Sequence, residues 1–357
     1  MKNPDLYSEL VHQILQKNAL LTCWRMLYKW LKKFPEIYFS IMNNTNIKLI
    51  VKNCGLAGRT VTFIVLSSSH KFIAKQFVLC VVNCVIILAI VLLNGILISA
   101  ILRCSKLQDK VSGFLILVQS TVDFAVGFIS LPMFTYIRAS EIMDLPNNCL
   151  VNFLSETVVY IMFGFSLAVV CVLTLERYMS IIHPVAHRIQ FTKRRILVSL
   201  LCTIIVLIPP ASLRLLASEH ICRTLGTTLT LLSLALNTFA YIRIFLIARK
   251  KLPTPSNIHV GSINSAQGIK KMKFLQELKL AKSCAFVVFT SCFCFLPAPV
   301  LYLYHKDDLF ETRNAYSLAI TVGAFNSCLN PVIFFWKRPL LRAEALKIIK
   351  TIGLFFS

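Results

Sequence analysis

One acidic residue, Asp123, lies well inside a long apolar stretch of the sequence. A carboxylate near the middle of a membrane span costs at least ~2.5 kcal/mol, so residues of this kind usually serve a function. Polar residues of other apolar stretches lie at a similar depth, about 14 to 20 Å from the nearest basic border at 1.5 Å per helical residue. They are Asn94, Ser166 and Asn326, with Ser327 and Asn330 beside the last. We expect one polar layer here, either functional or a hydrogen-bonded network that only joins helices.

A second group, Glu176-Arg177-Tyr178, closes the apolar stretch that begins near Leu150. Counted from Leu150 to Arg177, a helix would be roughly 40 Å long, enough to cross a bilayer core of about 30 Å at a tilt. Arg177 would therefore lie at one mouth of the span. Arg and Tyr commonly anchor helix ends at the interface, so the triplet alone does not separate a functional role from anchoring.

Motifs of catalysis are absent from the sequence. It contains no His-Glu-x-x-His, no Gly-x-Ser-x-Gly and no Gly-rich phosphate loop. His183 and His187 are four residues apart, but Pro184 intervenes at a membrane edge, which disfavours a metal site there. The sequence contains no Cys-x-x-Cys pair with a matching His or Cys pair, so we do not expect a structural zinc site. We therefore do not expect an enzyme.

The composition is that of a membrane protein, with 57% hydrophobic and only 15% charged residues. The net charge of +23 does not indicate nucleic-acid binding, because the basic residues flank apolar stretches instead of lining one soluble face. A transporter or channel would carry charged residues in several spans and internal repeats. Asp123 is the one clearly mid-depth acid, which disfavours that class.

Seven apolar stretches predict an all-α membrane protein, a bundle of seven transmembrane helices within the lipid bilayer. We place them at residues 77–102, 112–137, 150–181, 195–217, 224–248, 279–304 and 314–336. Basic residues concentrate in alternate connections, so the positive-inside rule puts the N-terminus outside the cell and the C-terminus in the cytosol. Lys71 and Lys75, just before the first span, oppose this orientation, but the later connections outweigh them.

The two ends of the chain differ from this central domain of residues 77–336. Residues 1–76 carry eleven Lys and Arg and form a basic extracellular segment that we expect to be poorly ordered; a basic amphipathic helix on the membrane is the alternative. Asn43 opens a glycosylation sequon, usable only if this end is outside. Residues 337–357 alternate apolar and basic residues at helical spacing, which predicts a short cytosolic amphipathic helix and tail, or a frayed basic tail.

Several motifs together resemble those of rhodopsin-like G-protein-coupled receptors. They are Glu176-Arg177-Tyr178 with His183-Pro184, Cys294-Phe295-Leu296-Pro297 and Asn330-Pro331-Val332-Ile333-Phe334. Each is weak alone, but they agree in order and spacing over about residues 77–350. The resemblance implies a plasma-membrane receptor that binds an extracellular ligand and activates a heterotrimeric G protein through movement of the third, sixth and seventh helices.

The resemblance also assigns roles to single residues. The second-helix Asp of the family, with its Ser and Asn neighbours, holds a sodium ion that favours the inactive state, which implies sodium at Asp123; oxygen ligands suit this hard cation. Glu277, level with Arg177 at the start of the sixth span, would form a latch with Arg177, unless it is a solvated charge at a helix N-terminus. Tyr241 of the fifth span would belong to the G-protein-coupling face.

Cys149 and Cys222 match the extracellular disulfide of the family. Cys149 lies about one helical turn further from Arg177 than the family pattern would put it. A shifted bridge, or one that involves Cys23 or Cys54, therefore stays open.

The ligand pocket departs from two branches of the family. Val159 stands where amine receptors carry Asp, and Ala324 stands where an opsin carries its retinal-binding Lys, so a biogenic amine and retinal are both disfavoured. Glu156, one turn outward, could meet a cationic ligand, pair with Arg138 or face water. Phe163 and Phe295 could form an apolar pocket floor, although aromatic residues at helical spacing are often plain packing.

Three further positions depart from the family pattern. Phe295 replaces a Trp, Phe334 replaces a Tyr, and Ser233 stands where the fifth span usually has Pro. A receptor-like decoy with weak or no coupling is therefore the main alternative, and a small membrane transporter is a more distant one.

Overall fold

The computed structural model describes residues 50–56, 59–65, 70–143, 149–212, 219–251, 281, 284–304 and 309–356. Apart from one short hairpin, the described part is almost entirely helical. The prediction of an all-α membrane protein is confirmed.

Eight long helices, which we label α1 to α8, make up this part. They are α1 (His70–Arg103), α2 (Val111–Ile142), α3 (Cys149–Ile182), α4 (Lys193–Ser212), α5 (Glu219–Lys251), α6 (284–295 with Pro297–Tyr304), α7 (Leu309–Lys337) and α8 (Pro339–Phe356). Short helices lie in two connections, Ser105–Gln108 before α2 and Pro184–Gln190 before α4. Within the described residues, each of the seven predicted spans therefore falls on a helix, α1 to α7.

Six helices of the described part, namely α1, α2, α3, α5, α6 and α7, are long and apolar enough to cross a membrane. The helix in the place of the fourth predicted span, α4, has 20 residues and so rises about 30 Å. Its Leu197, Leu201 and Ile205 are exposed on the bundle surface. Such an apolar outer surface is what a helix facing lipid needs.

A β-hairpin precedes the bundle. Strand β1 (Ile50–Leu56) pairs antiparallel with β2 (Arg59–Val65), with Ile50 opposite Val65 and Leu56 opposite Arg59. The β2 sequence is rich in Thr, Val and Ile, whose branched side chains favour strands. The hairpin falls within the segment expected to be poorly ordered, and that expectation stays a prediction; residues 1–49, with Asn43, lie outside the described residues.

The bundle interior has two apolar clusters with a polar layer between them. One cluster surrounds Leu97, Val170 and Phe334, towards the Arg177 end of the bundle. The other surrounds Ile90 and Val159 with Leu131, Phe134 and Ile320. Between them, along α1, α2, α3 and α7, lies a group of buried polar side chains that includes Asn94, Asp123 and Asn330. Further buried charged side chains, Arg138 and Arg177, lie towards the two ends of the bundle.

The approach of α1 to α2 is very close at Gly127. A Cβ added there would lie 2.5 Å from Ile90 Cγ2, so only glycine fits without a shift of α1. Gly127 lies in a π-helical turn, Val126–Ser130, just ahead of Pro132. Proline offers no N–H to the preceding turn, which favours such a local widening of the helix.

Candidate functional site

The Asp123 carboxylate is the centre of the polar layer. Its Oδ1 accepts hydrogen bonds from Ser166 Oγ at 3.0 Å and Ser327 Oγ at 2.8 Å. Its Oδ2 accepts from Gln119 Nε2 at 3.0 Å and Asn330 Nδ2 at 2.8 Å. These donors come from α2, α3 and α7, and all five side chains are at most 3% exposed. One buried charge therefore joins three helices through four donors.

Two more asparagines extend this layer to α1 and α6. Asn94 Nδ2 donates to the backbone oxygens of Ile90 and Ser327, each at 3.0 Å. Asn326 Oδ1 accepts from Ser291 Oγ of α6 at 3.2 Å. The structure thus places Asn94 beside the Asp123 group, whereas Asn326 turns towards α6.

The Arg177 end of α3 is also buried. Arg177 pairs with Glu176 through Nε and Nη2, and His187 Nε2 lies 3.1 Å from Glu176 Oε1. The carboxylate of Glu176 is therefore held between Arg177 and a histidine of the short helix Pro184–Gln190.

Two tyrosines at this end lie beside an apolar cluster. Tyr178 and Tyr241 pack against a cluster of Ile181, Ile244 and Ala281, which belong to α3, to α5 and to the sixth predicted span. The two tyrosines predicted for the coupling face thus pack against the same apolar cluster. Glu277 lies outside the described residues, and so do the side chains of Cys149 and Cys222; the latch and the disulfide stay predictions.

The sixth helix is interrupted where the Cys294-Phe295-Leu296-Pro297 motif occurs. Residues 284–295 are helical, Leu296 forms a turn, and Pro297 opens the next helix. Proline cannot donate to the preceding turn, so the break falls at the residue before it. Cys294 and Phe295 are buried just ahead of this break.

The seventh helix continues through Pro331 without a break, from Leu309 to Lys337. Asn330, beside the proline, uses its amide on Asp123. Phe334 is fully buried in the apolar cluster towards the Arg177 end, where it packs with residues of several helices. Its ring therefore fills apolar space where the family motif has a phenol.

A cavity of about 380 Å³ opens between α3, α4, α5, α6 and α7. Its walls include Glu156, Val159, Phe163 and Phe295, the four residues predicted for a ligand pocket, and also Ser233. Phe163 and Phe295 meet edge to face with ring centroids 6.1 Å apart. The walls are mainly apolar, with Thr and Tyr side chains among them.

The acidic edge of the cavity is tied to a buried arginine. Arg138 of α2 donates to Glu141 Oε2 at 2.9 Å, and its Nη2 lies 3.7 Å from Glu156 Oε1. The guanidinium also lies 5.1 Å from the Phe134 ring centroid, a cation–π distance. Of the three roles left open for Glu156, pairing with Arg138 is therefore present in the structure.

Three contributors to these sites were not predicted: Gln119, His187 and Glu141. Gln119 precedes Asp123 by four residues, and side chains at that spacing share a helix face. Glu141 follows Arg138 by three residues, which gives the same proximity. His187 lies beyond a proline turn, and the sequence holds no signal that it folds back onto Glu176.

Comparison with known proteins places the chain among receptors. Residues 93–334, more than half of the chain, match the family described as 7 transmembrane receptor (rhodopsin family). The octopamine receptor beta-1R of Drosophila melanogaster is 21% identical over 337 residues, covering 80% of this chain and 63% of that receptor.

Two further relatives are shorter matches. The alpha-1A adrenergic receptor of Bos taurus is 25% identical over 211 residues, 46% of this chain and 45% of that receptor. The muscarinic acetylcholine receptor gar-3 of Caenorhabditis elegans is 26% identical over 114 residues, 32% of this chain and 18% of that receptor. The chain spans less than two-thirds of the length of each of these three relatives. The chain therefore belongs to the rhodopsin family of seven-transmembrane receptors, whose members are multi-pass membrane proteins and not enzymes.

Proposed function

We propose that this receptor resides in the plasma membrane, binds an extracellular ligand in the cavity between α3 and α7, and activates a heterotrimeric G protein at its Arg177 end. The observation that carries the proposal is the Asp123 group, which joins α2, α3 and α7 between that cavity and Arg177. A group shared by three helices can transmit a change of packing from one end of a bundle to the other.

The distribution of basic residues supports this orientation. Arg103 ends α1, Lys193 opens α4 and Lys337 ends α7, all at the Arg177 end. Arg342, Lys347 and others continue the basic character along α8. The positive-inside rule favours this end for the cytosol, where an anionic leaflet would also attract α8.

The proposed movement centres on the break in α6. A ligand that presses on Phe163 or Phe295 would change the angle between 284–295 and the helix beyond Pro297. The 284–295 segment would then move away from α3, exposing the surface around Arg177, Tyr178 and Tyr241. Glu277, if it pairs with Arg177 at rest, would oppose this movement with up to ~1 kcal/mol, which is enough to bias a two-state equilibrium.

The ligand that we propose is mainly apolar and is not a biogenic amine, although the relatives include receptors named for octopamine and acetylcholine. Val159, in the position of the amine-binding Asp, is buried among Ile86, Phe134 and other apolar residues. The acidic side chain that reaches the cavity, Glu156, already faces Arg138. A cationic ligand would therefore compete with a buried guanidinium. Ala324, fully buried, offers no amine to retinal.

A receptor-like decoy is the second candidate, because Phe334 is fully buried in an apolar cluster and offers no hydroxyl to a coupling network. Nucleotide exchange separates the two candidates. The chain in lipid nanodiscs is incubated without ligand with a panel of G proteins, beside Arg177→Ala and Glu277→Ala. Thr121→Ala is the matched control, because this exposed hydroxyl only contacts the Leu117 carbonyl of its own helix.

We expect basal exchange on one G-protein class, raised by Glu277→Ala, lowered by Arg177→Ala and unchanged by Thr121→Ala. Exchange that is equal in the wild type and Glu277→Ala would remove the latch. A well-folded Glu277→Ala variant that is silent on every G protein would favour the decoy, since the restraint on activation has been removed.

A further inference from the structure

The Gln119 side chain occupies the surroundings of Asp123 in a way that bears on the sodium ion implied by the family. Gln119 is fully buried, and its amide nitrogen donates to Asp123 Oδ2 at 3.0 Å and to Ser166 Oγ at 2.9 Å. Ser166 Oγ in turn donates to Asp123 Oδ1 at 3.0 Å. Gln119, Ser166 and Asp123 therefore close a ring of three hydrogen bonds between α2 and α3.

The carboxylate has no acceptor site left for a cation. An ionised carboxylate offers about four lone-pair sites, and Asp123 receives four donors at 2.8 to 3.0 Å. A sodium ion that bound Asp123 would have to displace at least one of them. The donor set present thus satisfies the carboxylate with amide and hydroxyl hydrogens.

Other buried oxygens nearby do not provide a place for a cation against the Asp123 carboxylate. Within the part of the chain that the structure describes, Gln119 Oε1, Asn330 Oδ1 and Asn94 Oδ1 are buried without a hydrogen-bond partner. The oxygens of Gln119 and Asn330 belong to amides whose nitrogens face Asp123, so they point away from the carboxylate. Turning the Gln119 amide over would set its oxygen against the carboxylate oxygen with no proton between them. That arrangement is repulsive unless a cation lies between the two oxygens.

This side of Asp123 can therefore be occupied either by an amide N–H or by a cation. In the structure the Gln119 amide N–H occupies it. We propose that Gln119 takes the place of the family's sodium ion, so that the resting state of this receptor does not depend on sodium. The amide joins α2 to α3 permanently, as a bound cation would do reversibly. The signalling consequence rests on the proposed function, whereas ion binding itself does not.

Thermal unfolding tests the replacement without a ligand or a G protein. The full chain in lipid nanodiscs is heated in NaCl or KCl at equal ionic strength, with a thiol-reactive dye that reports exposure of buried cysteines such as Cys284 and Cys294. We compare the wild type with Gln119→Leu and with Gln119→Leu/Asp123→Asn. Gln119→Ala frees the same lone pair, leaves more room, and serves if the leucine variant does not fold.

We expect the wild-type Tm to be the same in both salts. Gln119→Leu should gain a sodium-specific rise of about 2–4 °C, the size of a site filled to ten times its Kd. The added Asp123→Asn should abolish that rise. A wild-type Tm that is higher in NaCl than in KCl would overturn the proposal, and so would a Gln119→Leu or Gln119→Ala variant that is as insensitive to sodium as the wild type.

Failure of this test is distinct from failure of the proposed function. A sodium-dependent wild type with basal exchange would keep the receptor and reject the role of Gln119. A sodium-independent wild type with a sodium-dependent Gln119→Leu variant, but with no exchange, would keep the role of Gln119 and reject coupling.

Discussion

The polar core around Asp123 and the cavity around Phe163 lie next to each other along α3, which contributes Ser166 to the core and Phe163 to the cavity. The core consists of polar side chains, whereas the cavity walls are mainly apolar. In the core, hydrogen bonds of defined length hold a charge that is fully buried. In the cavity, aromatic edges and apolar walls surround space. The core retains the polar residue types of the family pattern, whereas the cavity lacks the carboxylate at Val159. The family pattern therefore describes the polar core of this chain better than it describes the ligand cavity.

The two regions also differ in how they respond to change. A hydrogen-bonded core fails when one partner is removed, because the remaining buried donors lose their acceptor. In the wall of an apolar cavity, an added carbon is costly where neighbouring wall side chains already touch, as Phe163 and Phe295 do.

The largest effect is expected from Asp123→Ala. This change leaves four buried donors, on Gln119, Ser166, Ser327 and Asn330, without their common acceptor. An unsatisfied buried donor costs about 1–3 kcal/mol, so we expect a loss of at least ~3 kcal/mol in the free energy of unfolding. Thermal and denaturant unfolding in nanodiscs measure this loss.

The matched control for that change is Ser120→Ala on the same helix. Ser120 is equally buried, but its hydroxyl bonds only to the Ile116 carbonyl of its own helix at 2.8 Å. Its removal should cost less than about 1 kcal/mol, the net value of an ordinary hydrogen bond. Equal losses for the two variants would contradict the view that Asp123 holds the helices together.

The sequence predicted most of the fold because a bilayer constrains it so strongly. Spans of about 20 apolar residues must be helices, and charge in the connections favours one orientation. The hairpin at Ile50–Val65 was not predicted, since its strands lie outside the apolar spans that membrane reasoning identifies. The π turn before Pro132 was not predicted either, because a proline alone does not fix how the preceding turn adjusts.

The candidate site could be predicted only in part. Depth along a helix can be counted, so Asn94, Asp123, Ser166 and Asn326 were assigned to one layer. The depth of a residue does not show towards which neighbouring helix its side chain points. Asn326 was therefore assigned to the same group, although it contacts Ser291 of α6. Gln119 was not predicted, because a helix face shared with Asp123 allows a hydrogen bond between the two side chains but does not require one.

An intermediate effect is expected from Gly323→Ala, which adds one carbon to the cavity wall. The new Cβ would lie 2.6 Å from Phe163 Cε1, and that ring packs against Phe295. Displacing the two rings should cost about 1–3 kcal/mol relative to the control. It should also shift basal nucleotide exchange, because both rings lie beside the break in α6.

Gly95→Ala is the control for that addition. Its Cβ would lie 3.7 Å from Phe124 Cε2, an ordinary contact, and alanine favours a helix over glycine by roughly 0.5–1 kcal/mol. Unfolding measurements should therefore find Gly95→Ala as stable as the wild type or more so. If Gly323→Ala is also as stable as the wild type, the Phe163 and Phe295 rings can shift at little cost, which would contradict the prediction.

The smallest effect is expected from Phe334→Tyr, which restores the phenol of the family motif within the apolar cluster. Phe334 is fully buried, so an added hydroxyl without a partner should cost about 1–3 kcal/mol, whereas a hydroxyl that reaches a partner should cost almost nothing. We expect a loss near the low end, ~1 kcal/mol, because the polar layer lies one turn away at Asn330. Phe335→Tyr, on a partly exposed neighbour near the helix end, is the control and should be neutral. Raised basal exchange in Phe334→Tyr alone would indicate that the missing hydroxyl limits coupling, and unchanged exchange would place that limit elsewhere in the bundle.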